Sequence, residues 1–389
     1  MADPRGQPPL DLGPLLRLWG GLPTSVRVAV VLTGVVIVVV GVLVFANLPP
    51  PGGGTTLGPD GGATERPGGE APPVSDTGAG TYTFCFWNVE NLFDDQEDGR
   101  GGADKAFDTW MASDATARER KLAKLCDVLL SDELNGGKGP DIVALAEVES
   151  DRAAELLQNA LNARLTDEKL RYGARAFVSP GRGAGRHIGP ALIARLPIDR
   201  PSQLGERQRL RIMETRVRAG GHALTVIASH WSSRLSDKTG ANRAKYADVI
   251  YGRFKELYTA DAAVELLVCG DFNDDPTDAS VTEHLCAVGD AEAARGAAKL
   301  FDPFFALFEQ GKLTHYHSPK GHVFDHICLS PGLLGGAGWS YVEGSARIVP
   351  MFASRNGHPN RFGSRSDKRA WGSRGASDHF PVTVQLQVK

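Results

Sequence analysis

Six short apolar runs in this chain each stop at, or start from, a side chain that a buried strand would avoid. YTFCFWN runs into Asn88 and Glu90, DIVALAE ends in Glu147, and LTVIAS is followed by His230. VELLVCG leads to Asp271 and Asn273, FDHICLS opens with Asp325, and Asp378 and His379 directly precede FPVTVQLQV. Taken singly, an Asn or Asp beside a strand is usually a turn residue, and a lone carboxylate or histidine is usually solvated or half-buried. Turns alone explain six such strand ends poorly. In sandwich and α/β architectures strand lips converge on one face, where functional sites lie. The chain must therefore fold so that groups spread from residue 88 to residue 379 can meet.

The stretches between these runs supply the other elements. Residues 114–134 carry apolar positions at helical spacing, closed by GGKGP, and DRAAELLQNALNARL is an amphipathic helix with Asp151 as its expected cap. GPALIARLPI, RIMETRVRAG and GHALTVIAS read as successive strands, and GANRAKYADVIYGRFKELY as a further helix. Strands that interleave with helices yet are partly consecutive predict two sheets packed face to face with helices outside. No repeat of solenoid length is present.

Residues 28–48 carry no charge over 21 positions, which as a helix matches a bilayer's hydrocarbon core of about 30 Å. They predict a transmembrane helix. Arg17 and Arg27 precede it and the first charge after it is Asp60, so residues 1–27 form a cytoplasmic tail and the rest faces outward. Val44 and Ala46 offer a weak cleavage site, and with it a secreted form. The Pro/Gly-rich stretch 49–80 reads as a flexible linker, leaving 81–389 as the folded domain. A formal charge of −3 gives no global basic bias toward nucleic acid. Of the five cysteines, Cys85, Cys269 and Cys328 lie in apolar runs. An outward location permits a bridge between Cys126 and Cys286, and no spacing suggests structural zinc.

The ordered set WNVENLF, DIVALAEVE, ASHWSSR, CGDFNDDP, FDHICLS and SDHFPV resembles the endonuclease/exonuclease/phosphatase superfamily of metal-dependent phosphoesterases. The resemblance covers residues 81–389 and implies an α/β fold, a four-layer α-β-β-α sandwich of two packed mixed β-sheets flanked by helices. It also implies a site for Mg2+, with Mn2+ or Ca2+ as alternatives. Glu147 is then the principal ligand, with Glu90, Asp378 and Asn88 assisting directly or through water. Asp271 matches the family residue that aligns or deprotonates the attacking water, and Asn273 the one that holds a nonbridging oxygen. His379 would stabilise phosphoryl charge with its tautomer fixed by Asp325, and His230 would assist the leaving group or bind phosphate. Glu90 departs from the Asp that several branches carry. His230 resembles the deoxyribonuclease, sphingomyelinase and phosphatase branches, and the arginine-bearing extensions of inositol polyphosphate 5-phosphatases are missing.

Residues 355–374 hold six Arg or Lys against Asp367 alone and lead into Asp378 and His379. Such a loop is either a solvated surface or a grip on the phosphates of a polyanion. Arg361 is the first candidate contact. Arg186, with Arg182 and His187, is a candidate second wall, and Arg243 either points back to the site or pairs with an acid on its own helix surface. Trp231 and Trp371 either stack on bases or pack at core and rim. The expectation is a membrane-anchored, outward-facing phosphodiesterase whose substrate is nucleic acid, read with low sequence selectivity. A sphingomyelinase-like phospholipid hydrolase or small-phosphoester hydrolase is the second reading, and an inactive membrane-anchored binding module the third.

Overall fold

The computed structural model describes residues 78–179, 186–317, 320–354 and 356–389. The expected membrane span 28–48, its tail and nearly all of the linker lie outside the described residues. Within those, no helix is long and apolar enough to cross a membrane.

Strand alternation builds two sheets. The first runs β14 (Trp339–Tyr341), β16 (Val382–Val388), β1 (Gly80–Leu92), β2 (Ile142–Val148), β4 (Gly189–Ala194), β3 (Ala174–Phe177), with β15 (Arg347–Ile348) on β16. The second runs β5 (Ser202–Leu204), β6 (Ile212–Ala219), β7 (His222–His230), β8 (Leu266–Asp271), β13 (Asp325–Leu329), β10 (Leu300–Phe301), β9 (Ala287–Val288). Both are mixed: β1–β2 and β7–β8 are parallel, while β1–β16 and β8–β13 are antiparallel. A hairpin, β11 (His315–His317) and β12 (Lys320–His322), stands apart.

Successive side chains on a strand point to opposite faces, and the apolar clusters follow that period. Phe84 and Phe86 of β1 pack between the sheets with Val226, Leu267, Ile327 and Val384. Cys85 and Trp87 face outward, against α1 (Ala115–Leu129) and α2 (Asp151–Asn162). On the far side Ile227, Val268 and Cys328 pack against Tyr246, Ile250 and Phe254 of α3 (Ala241–Ala260). The layers are therefore helix, sheet, sheet, helix.

Two local expectations are corrected, and the open question of a disulfide is answered. β1 does not stop at Asn88 but continues to Leu92, with Glu90 and Asn91 in left-handed backbone (φ 49° and 63°) and a shift in its register to β2. α2 is capped by Ser150, whose Oγ accepts from Ala153 N–H, while Asp151 pairs with Arg175 at 3.0 Å. All five cysteines are free, so Cys126 and Cys286 form no bridge.

Candidate active site

The face that each strand turns to the inter-sheet core ends, at one rim, in a polar group. Asn88 continues the side of Phe84 and Phe86, His230 that of Val226 and Ala228, and Asp271 that of Leu267 and Cys269. Asp325 opens the side of Ile327 and Leu329. The registers set His230 opposite Asp271, and Asp271 opposite Asp325, in one row across β7, β8 and β13. Alternation alone would send Glu147 outward with Val143 and Leu145. Its left-handed backbone (φ 64°) and the register shift beside it turn the carboxylate to the rim instead. Glu90, Asn91, Glu147 and Asn273 are four of the eight non-glycine residues with positive φ among the described residues. Such backbone is costly and clusters at functional sites.

These groups open on a cleft of about 580 Å³ lined by Glu147, His230, Asp271, Asn273, Asp378 and His379. Asn88 Nδ2 donates to Asp271 Oδ2 at 2.9 Å and reaches Glu147 Oε1 at 3.4 Å. Glu147 Oε2 accepts Asn91 N–H at 2.9 Å, and Asp271 Oδ1 accepts Asn273 N–H at 2.9 Å. His379 Nδ1 donates to Asp325 Oδ2 at 2.7 Å, and its Nε2 stands 3.7 Å from Asp271. His230 Nε2 lies 3.6 Å from Asp271 and 4.0 Å from Glu147, with Nδ1 buried and unpartnered.

Charge follows from this packing. Burial, with Asp325 adding, pushes the Asp271 carboxyl up to about 7 against the pull of His379. Burial opposes the charged form of His379, yet Asp325 and Asp271 outweigh it and hold the imidazole well above its ordinary value. Burial, helped by Arg211 and His379, drives His230 well below, so the two histidines differ in protonation. Asp378 is held below the ordinary carboxylate range because His379 and His315 outweigh its burial.

The carboxylates of this cleft suit a divalent cation. Among the described residues no lysine or arginine ion-pairs with Glu147, and the Asp271 and Asp378 carboxylates line the same cleft, while Asn88 turns its Nδ2 to Glu147 and gives its Oδ1 to Glu90 N–H. Magnesium prefers oxygen donors and retains several waters. The residues fit.

Glu90 takes another part than the expected one. Its Oε1 accepts from Arg361 Nε at 2.9 Å and Gly363 N–H at 3.2 Å, and its Oε2 from Phe362 N–H at 2.6 Å. The carboxylate thus pins the 361–363 segment rather than facing Glu147. Burial, reinforced by Asp378, raises it to about 7 even so. Glu90→Ala removes the acceptor for two amides, a loss of about 1–3 kcal/mol. The expected outcome is about tenfold or faster hydrogen exchange at Phe362 and Gly363, read by mass spectrometry. Unchanged exchange would show that the segment is held otherwise.

The candidate phosphate-gripping arginines are also engaged. Arg243 is buried, donating to Asp274 at 2.7 Å and to the Asp237 carbonyl at 2.7 Å, so it neither lines the cleft nor pairs with an acid on its own helix surface. Arg186 donates to Asp104 at 2.7 Å, and Arg182 lies outside the described residues. In the basic loop Arg369 pairs with Asp367 and buried Arg374 donates to the carbonyls of Phe362, Ser364 and Asp367. Arg361 alone of these lines the cleft, its Nη2 3.6 Å from Asp378. Trp231 is buried, and Trp371 packs on Phe362 and Arg374.

A wall of rings was missed. His315 stacks on His379 (centroids 4.3 Å apart), His322 on Phe324 (4.5 Å) and Tyr316 on His358 (3.5 Å), and all of them line the cleft. The signal was the run THYHSPKGH, whose three histidines flank one short hairpin turn.

Residues 83–388 match the family model described as Endonuclease/Exonuclease/phosphatase family. No curated protein matches the chain. Among solved structures, sphingomyelinase C from Streptomyces griseocarneus is 15% identical, with a TM-score of 0.48 over 80% of this chain and 100% of that one. D. rerio TDP2 complexed with a single strand DNA product is 15% identical, TM-score 0.46, covering 79% and 98%. A mannosyl-6-phosphatase from Bacteroides thetaiotaomicron is 17% identical, TM-score 0.47, covering 78% and 99%.

Proposed function

The chain belongs to the endonuclease/exonuclease/phosphatase family and is a metal-dependent phosphoesterase, and we propose that it is a magnesium-dependent phosphodiesterase whose substrate is nucleic acid. The observation that carries this reading is the meeting of Glu147, Asp271, His230 and the Asp325–His379 pair in one cleft. Glu147 and Asp378 would hold the cation, and Asn88, whose Nδ2 faces Glu147, would assist through one of its waters. When bound, it supplies positive charge to the phosphoryl oxygens.

The remaining work falls to the chain's own groups. Asp271, whose carboxyl burial pushes up to about 7, would accept a proton from the water that it orients. Asn273, whose Nδ2 already donates to the Trp231 carbonyl, would offer its second N–H to a nonbridging oxygen. Protonated His379, locked by Asp325, donates from Nε2 to the phosphoryl group as negative charge grows there. Neutral His230 would assist the leaving group or bind phosphate.

The ring wall favours nucleic acid presented as a single strand, since each base offers a flat face to stack on such rings. A phospholipid or small-phosphoester substrate is favoured instead by Leu235, which is 73% exposed on the cleft rim. Residues 28–48, uncharged throughout, are taken as the anchor that holds the domain outside the membrane, with 49–80 as its tether.

The purified full chain with magnesium is expected to cleave a single-stranded oligonucleotide faster than sphingomyelin vesicles or a phosphomonoester. Chelation by EDTA should stop the reaction, and restored magnesium should recover it. Turnover of sphingomyelin alone would replace the nucleic-acid reading by the lipid one, and turnover indifferent to EDTA would end the metal reading.

A further inference from the structure

The residue that follows each of three functional groups is a flat ring on the opposite face of the sheet. Trp231 follows His230, Phe272 follows Asp271, and His326 follows Asp325. Because the three functional groups share one row, their successors share another, and there they stack. Trp231 and Phe272 lie 4.2 Å apart at 13°, and Phe272 and His326 4.6 Å apart at 8°. All three rings are fully buried. Gly270 makes room for the column, since a Cβ there would stand 2.5 Å from the Ser229 carbonyl oxygen and 2.9 Å from the Phe272 ring.

The column is tied to the loop that carries the functional side chains. Trp231 N–H donates to the Asp271 carbonyl at 2.9 Å, and Asn273 Nδ2 donates to the Trp231 carbonyl at 3.2 Å. His326 anchors the other end. Its Nδ1 donates to Asp302 Oδ2 at 2.7 Å and its Nε2 to the Asp274 carbonyl at 3.0 Å. The Asp274 carbonyl can only accept, so Nε2 carries a proton, and with Asp302 ionised Nδ1 carries one too, pairing an imidazolium with a carboxylate that is itself 0% exposed. Asp302 is fixed in turn by Phe304 N–H on its Oδ1 at 2.9 Å. An ion pair buried this deeply is weak evidence for stability, and neither member reaches the cleft lining. Its contacts run instead to the Asp274 carbonyl and, through stacking, to the Phe272 ring.

We propose that the Trp231–Phe272–His326 column, anchored by Asp302, is the positioning device that holds Asp271 in register with His230 and the Asp325–His379 pair. His326 and Asp302 are positioning residues, touching neither substrate nor reacting atoms. This role rests on the catalytic reading of the cleft. Groups that orient catalytic residues from behind typically cost about 10–100-fold when removed, and small misplacements of reacting groups have effects of similar size.

The test measures magnesium-dependent hydrolysis of bis(p-nitrophenyl) phosphate by the full chain. The variants are His326→Phe, which keeps a flat ring but loses both hydrogen bonds, and Asp302→Asn, which keeps volume but loses the charge. Each is expected to lower kcat by about 10–100-fold with KM held within about twofold. In an Asp271→Asn background the same substitutions should change kcat by less than about twofold, because the group they position is already lost. Folded His326→Phe or Asp302→Asn with wild-type kcat would overturn the proposal, as would an equal loss in both backgrounds, which marks general destabilisation. If His326→Phe does not fold, Asp302→Asn carries both readouts. Absent turnover by the wild-type chain would overturn the catalytic reading itself, whereas loss in Asp271→Asn without loss in the anchor variants would overturn the column alone.

Discussion

Glu147→Gln is expected to lower kcat by about a thousandfold or more, since a bound cation supplies several kcal/mol of charge stabilisation. The carboxylate has no lysine or arginine ion pair among the described residues; it accepts from the Asn91 and Asn88 amides and stands 4.0 Å from His230 Nε2. Its charge is therefore available to a cation. Glutamine keeps the shape and one carbonyl oxygen, so the hydrogen bond from Asn91 can persist and the fold should be retained. Two measurements check this: turnover under saturating magnesium, and magnesium binding by calorimetry. A variant that keeps wild-type turnover would remove Glu147 from the site, whatever else the cleft contains.

The second large effect belongs to His379 and its partner. His379→Ala is expected to cost about 10²–10³-fold in kcat, the usual loss for a preorganised donor to developing charge. Asp325→Asn should act through the same imidazole and leave a signature in pH. Burial disfavours the charged ring, and it is Asp325, with Asp271, that outweighs burial and keeps the His379 value well above the ordinary one. The protonated donor exists below that value and is lost as pH rises. Neutralising Asp325 removes the main raising influence, so the alkaline fall of kcat should begin at lower pH than in the wild-type chain. A fall that stays in place would show that a different group sets that limb.

The rim of the sandwich was legible in the sequence because strand alternation needs no tertiary knowledge. Asn88, His230, Asp271 and Asp325 continue the inter-sheet side of their own strands, so their meeting follows once the two sheets pack. Glu147 breaks that parity, and only its backbone, left-handed without a glycine to suggest it, brings it back. The fate of Glu90 was not legible. Its hydrogen-bond partners are 271 to 273 residues away, in a loop that has no period and no apolar pattern. The same holds for the arginines: a guanidinium looks identical in sequence whether it faces solvent or a carboxylate such as Asp274. Local competition explains the α2 cap, where Ser150 and Asp151 are both good cap residues and the attraction of Arg175 draws Asp151 away.

The inward ties of Arg186, Arg243, Arg369 and Arg374 have a consequence for recognition at a distance. A polyelectrolyte is drawn in and oriented by uncompensated cations, and each phosphate so neutralised sheds bound salt. Arg361 at the mouth is tied as well, its guanidinium donating to Glu90 at 2.9 Å and standing 3.6 Å from Asp378. Long-range capture is then feeble, and selection among phosphoesters falls to close fit within the crevice, after contact has already been made.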